Sequence, residues 1–182
     1  MRPFACLATL LLVTPFCAAQ EVSVKVQRHG ESIVVDVEAT VAAPVREAWA
    51  VFTDYEHMAS FISNIKHSKI VARDGNRLQI EQAGETKVAF MRFGFVAVRA
   101  VELTPMQEIR SSLVSGDFKA YASSTRIAAT PSGARITHHG EYVPKSWMPP
   151  VIGPAMIESE TRKQYLEFIA EIERRTAAAK GS

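Results

Sequence analysis

His138, His139 and Glu141 fall within one short segment. Imidazoles beside a carboxylate are the donor set of a zinc or iron site. The segment around them alternates apolar and polar residues, which is a strand pattern, and neighbouring strand side chains point to opposite faces. His138 then shares a face with Ile136 and Tyr142, while His139 shares the other with Glu141. That split leaves at most two ligands on a side, so no metal is expected. His138 has a second reading. If its face turns inward, His138 and Tyr142 are polar groups in an apolar interior, able to orient a ligand or exchange a proton with one. The plainer alternative is a core histidine bonded to a neighbour. His29 falls in a turn, and His57 and His67 flank a short helix without an evident partner.

Other catalytic signatures are missing. The chain has no His-Glu-x-x-His, no Gly-x-Ser-x-Gly, no phosphate loop and no dinucleotide fingerprint. No catalytic residue and no cofactor are assigned. Arg92 and Arg99 are charges on a mostly apolar stretch; each can reach water along its stem, or meet a carboxylate or headgroup. Asp54 is expected to cap the segment after Tyr55. Asp117, after Gly116, suits backbone hydrogen bonding in a turn.

The elements that would position these groups follow from periodicity. Val22, Val24 and Val26 alternate with polar residues, Arg28–Glu31 turns, and Ile33–Val41 alternates again, which predicts a hairpin. Two short helices come next. Lys69–Ala72 and Arg77–Gln82 flank the turn Asp74-Gly75-Asn76. Thr86–Val101 reads as one long apolar strand, with a bend or bulge expected at Gly94. Within it Met91, Phe93 and Phe95 share a face. Glu108–Ser115, Ala120–Ala129 and Ala134–Val143 are further strands. The proline-rich Pro144–Pro154 breaks regular structure. Ala155–Thr176 is a long amphipathic helix carrying Ile157, Tyr165, Phe168, Ile169 and Ile172, with the last residues frayed. No repeat, linker or second domain is visible.

Val41–Asn64 is the most informative stretch. A strand runs into Ala42-Ala43-Pro44, and Pro44 suits a helix start. Trp49 and Phe52 share one face, and Met58, Phe61 and Ile62 repeat the spacing. Gly116-Asp117-Phe118-Lys119 sits between strands, and Tyr142-Val143-Pro144, Trp147 and Pro149 precede the last helix. In this order the pieces resemble the START-like superfamily, in its polyketide cyclase/dehydrase and coenzyme Q-binding branches. The resemblance spans about Ser23–Arg175. It implies an α+β helix-grip fold: a curved antiparallel sheet wrapped around a long C-terminal helix, with two short helices after the first strands. It also implies an apolar ligand cavity between sheet and helix. Phe61, Met91, Phe93, Phe95, His138, Tyr142, Trp147, Met156, Tyr165 and Phe168 are the expected ligand-binding residues. The apolar Trp147 loop suits a gate or a transient membrane contact, or simple packing.

Residues 1–19 read as a cleavable signal peptide: Arg2, the apolar Leu7–Val13, then Cys17-Ala18-Ala19 before Gln20. Residues 20–182 then form one START-like domain, periplasmic or secreted. Cys6 and Cys17 are the two cysteines, so the mature chain would have neither disulfide nor thiol chemistry. The net charge is +2 with Arg2 included, and charges of both signs are interspersed. Nucleic acid is not an expected partner. The expected function is to bind or carry a hydrophobic small molecule of lipid, isoprenoid or quinone type, as a monomer. The alternative is a cyclase/dehydrase-type enzyme acting on a polyketide-like substrate in the same cavity.

Overall fold

The structure is a computed structural model that describes residues 21–88, 91–145 and 152–181, with the side chains of 86–88, 91, 93 and 152 excepted. The expected leader with its two cysteines, and the Trp147 loop, lie outside the described residues, as do the side chains of Met91 and Phe93.

Strands β1 (Val22–His29) and β2 (Ser32–Val41) form the first hairpin. It turns at Gly30, whose φ of 63° suits a residue without a Cβ. Helices α1 (Val45–Phe52) and α2 (Met58–Phe61) follow. The chain then meanders through β3 (Ile65–Asp74), β4 (Arg77–Val88), β5 (Met91–Thr104), β6 (Glu108–Gly116), β7 (Phe118–Thr130) and β8 (Gly133–Pro144). It ends in α3 (Ile152–Lys180). All strand pairs are antiparallel, and β8 returns to pair with β2. The result is one curved eight-stranded sheet in the order β1-β2-β8-β7-β6-β5-β4-β3.

Three local expectations are corrected. Thr86–Val101 is not one strand. It divides between β4 and β5, which pair with each other so that Val88 lies opposite Met91. The division was hidden because the stretch carries no turn-forming pair. The bulge is not at Gly94, which pairs in register with Glu85. It falls between Val98 and Arg99, where β6 inserts the extra Val114. Here β5 has just gained its second neighbour, and the extra residue sharpens the twist. Finally, α3 does not fray after Thr176; alanines are strong helix formers and carry it to Lys180.

The concave face of the sheet supplies the core. Ile33, Val35, Val37, Ala39 and Val41 of β2 are buried in alternation, as are Leu78 and Ile80 on β4, Ala97 and Val101 on β5, and Ala134 and Ile136 on β8. Ile157, Tyr165, Phe168, Ile169 and Ile172 of α3 and Trp49 and Phe52 of α1 complete it. Phe52 stacks on Phe168 with ring centroids 4.3 Å apart, which fixes α1 against α3.

Polar contacts lock α3 at the other end. Arg175 donates to Asp54 at 2.8 Å and to Glu171 at 2.6 Å, and its guanidinium lies 5.5 Å from the Phe61 ring centre. Glu167 accepts the Ser63 N–H at 2.9 Å. The Asp54 carboxylate therefore does not cap α2. It binds His57 at 2.7 Å and Arg175 instead, because α3 brings it a full charge.

Candidate functional site

Between the concave face and α3 the structure leaves a cavity of about 390 Å³. That is within the usual range for small-molecule sites, roughly 300–1,000 Å³. Phe52, Met58, Phe95, Phe118, Met156 and Phe168 give it an aromatic and thioether wall. Such side chains conform to an apolar guest without demanding one shape.

Six expected site residues come together on that wall: Phe95, His138, Tyr142, Met156, Tyr165 and Phe168. Phe61 is not among them. It stands behind Phe168, edge-on at 6.1 Å, and so backs the wall without forming it. Phe95 reaches the cavity because its cross-strand partner is Gly84. A Cβ at Gly84 would run into the Phe95 ring and come within 2.5 Å of the Asn64 carbonyl oxygen.

His138 faces inward from β8. Its Nδ1 shares a hydrogen bond with the Thr125 hydroxyl at 2.8 Å. Its Nε2 lies over Gly140, where a Cβ would come within 2.9 Å. Burial, helped by the nearby Arg99 charge, holds the imidazole down at about 4, so it is neutral at pH 7. Burial likewise pushes Tyr55 up to about 12 and raises Tyr142 and Tyr165, so these phenols keep their protons. His139 and Glu141 are on the convex face, as alternation requires. His139 bonds Asp36 at 2.7 Å, and Glu141 accepts from Ser32 at 2.6 Å. Among the described residues no metal-ligating cluster forms.

Sequence reasoning missed a row of polar side chains across the same wall: Gln82 on β4, Arg99 on β5, Ser111 on β6 and Tyr121, Ser123 and Thr125 on β7. Arg99 does not run out to solvent. Its Nη1 donates to the Tyr121 hydroxyl at 3.0 Å, and its Nη2 donates to Gln82 Oε1. Its guanidinium also lies 5.3 Å from the Tyr121 ring centre. Arg92, by contrast, is exposed and 3.5 Å from Glu85. The missed signal was available: Arg99 alternates in step with Ala97 and Val101, and Gln82 with Leu78 and Ile80.

At the rim, Asp117 accepts the Val96 N–H at 2.8 Å through its carboxylate and returns its own N–H to the Val96 carbonyl at 2.9 Å. The Gly-Asp-Phe corner is thereby stitched to β5.

A curved antiparallel sheet gripping a C-terminal helix over an inner cavity defines the helix-grip class of START-like proteins. The sequence pattern of the polyketide cyclase/dehydrase and lipid transport family matches residues 41–169, and the chain belongs to that family. No curated protein matches it at the sequence level. Solved structures share the fold at low identity. The Zhui aromatase/cyclase from a Streptomyces species aligns with a TM-score of 0.67 at 16% identity, covering 81% of this chain and 98% of its own. A STAR-related lipid transfer protein from Xanthomonas axonopodis gives 0.63 at 8% identity, covering 84% and 98%. A START superfamily protein from Mycobacterium smegmatis gives 0.56 at 21% identity, covering 82% and 99%.

Proposed function

We propose that this domain binds and carries an apolar small molecule, lipid-like, isoprenoid or quinone in type, between the sheet and α3. The observation that supports this reading is the aromatic-walled cavity itself. Burying apolar surface yields roughly 25 cal/mol per Å². A guest hiding about 300 Å² would gain on the order of 7 kcal/mol, enough for micromolar binding if association costs stay small. Little polar recognition is then required. The leader-like residues 1–19 put this work outside the cytoplasm in our reading. The test is native mass spectrometry of freshly purified protein, followed by organic extraction. A co-purifying apolar molecule supports carriage. An empty protein that also fails to take up lipid from vesicles refutes it. Fractionation of expressing cells checks the exported location.

A second reading, a cyclase/dehydrase-type enzyme, is favoured by one feature: the neutral His138 imidazole facing the cavity beside a polar row. Turnover of a polyketide-like chain that disappears in His138→Gln would support it.

A further inference from the structure

We propose that the guest is an anionic amphiphile, in the simplest case a long-chain carboxylate, whose charged oxygens are received by Arg99 in the middle of the cavity wall. The inference rests on the carrier reading above and names the chemistry of its ligand.

The Arg99 charge has no carboxylate partner among the described residues. Arg99, itself half-buried, points inward between the buried Ala97 and Val101. Taking a cation out of water costs several kcal/mol unless an anion or a full set of acceptors replaces the solvent. The groups that hold Arg99 are neutral: the Gln82 amide oxygen and the Tyr121 hydroxyl. Among the described residues Arg99 forms no salt bridge, whereas Arg162, Arg174 and Arg175 each meet a carboxylate. A guanidinium has five N–H donors, so these two acceptors leave donors to spare. The carboxylates on the cavity wall are engaged elsewhere. Asp117 is held by the Val96 N–H, and Glu160 of α3 has a partner of its own.

A second observation points to the same place. Ser111 is only 8% exposed, yet its hydroxyl has no hydrogen-bond partner. It lies on β6 opposite Val101, two residues from Arg99 along the neighbouring strand. A buried hydroxyl without a partner is destabilising. A carboxylate accepting from Arg99 would neutralise the guanidinium, and a turn of the Ser111 side chain would let its hydroxyl donate to the same group. Around the row, His138 is neutral, and Tyr55, Tyr142 and Tyr165 keep their protons, so none of these adds a charge beside Arg99. The tail would then run along Phe95, Phe118 and Met156.

The experiment titrates dodecanoic acid, methyl dodecanoate and dodecanol into the wild-type protein, Arg99→Met and Arg99→Lys, followed by calorimetry near neutral pH. The wild type is expected to bind the acid about tenfold tighter than the ester, the scale of a charge-assisted bond in a desolvated site. Arg99→Met should erase that preference while still binding ester and alcohol, which also shows that it folds. Arg99→Lys should keep part of it. Equal affinity of the wild type for acid and ester, or a preference that survives in Arg99→Met, overturns the anion inference and leaves the carrier reading standing. If none of the three probes binds the wild type, both readings fall.

Discussion

The His138 imidazole meets the Thr125 hydroxyl at 2.8 Å across the β7–β8 pair, with the Tyr165 ring centre 6.0 Å away on α3. This contact ties sheet to helix at a group that must stay neutral. The folded protein holds His138 at about 4 against an ordinary 6.5, so the unfolded chain binds the proton first. Stability is therefore complete above the ordinary value and declines as pH falls from 6.5 towards 4. The loss is on the order of 3 kcal/mol, at about 1.4 per unit. Urea melts across this window should show the decline, and His138→Gln should flatten it.

A lower acid window belongs to α3. Glu171 is gripped by Arg174 at 2.7 and 2.8 Å and by Arg175, which together hold its carboxyl at about 2. Its contribution is present above the usual carboxylate range and disappears as pH falls towards 2. Glu171→Gln should remove this second step from the acid melt while leaving the His138 step intact.

Arg175→Met strips Asp54 of its partner on α3. Asp54 is well covered and already shares a proton-bearing contact with His57. The expected loss is about 1–2 kcal/mol by chemical denaturation. Amide exchange around α2 should rise. A variant as stable as the wild type would show that the stacked aromatics alone seat the helix.

One turn carries strain that can be relieved. Thr104-Pro105-Met106-Gln107 closes with the Gln107 N–H on the Thr104 carbonyl at 3.0 Å, and Met106 has a φ of 61°. This conformation favours glycine, and Met106 is exposed, so little packing is forfeited. Met106→Gly is expected to raise stability by about 0.5–1 kcal/mol. A lower melting temperature would contradict this.

Thr161 faces the cavity from α3. Thr161→Phe should fill the space and abolish uptake of dodecanol while the protein stays folded, overpacking costing about 1–3 kcal/mol. Unchanged uptake would mean the guest sits elsewhere.

The architecture was legible because its signals are repetitive. Alternation along β2 and β8 and the spaced aromatics of α1 and α3 each recur often enough to outvote local noise. The β4–β5 reversal was not, since apolar residues on both sides of it keep the same texture. The cavity wall was read in part. His138, Tyr142 and the α3 aromatics stand in plain alternation or helical spacing. Arg99 and Gln82 occupy equally regular inward positions, but a charge among apolar residues can equally reach water or meet a carboxylate or headgroup. What it does depends on Gln82 and Tyr121, which reach it from other strands. Phe61 has the spacing of a wall residue, but Phe168 stands in front of it.

The pairing of Val37 with His138 joins β2 to a strand about a hundred residues later, and α3 comes later still. The vessel has its two ends as adjoining staves. During synthesis the cavity cannot form until β8 and α3 have emerged. Such distant closure also makes assembly slow, since loop entropy is spent before the seam repays it.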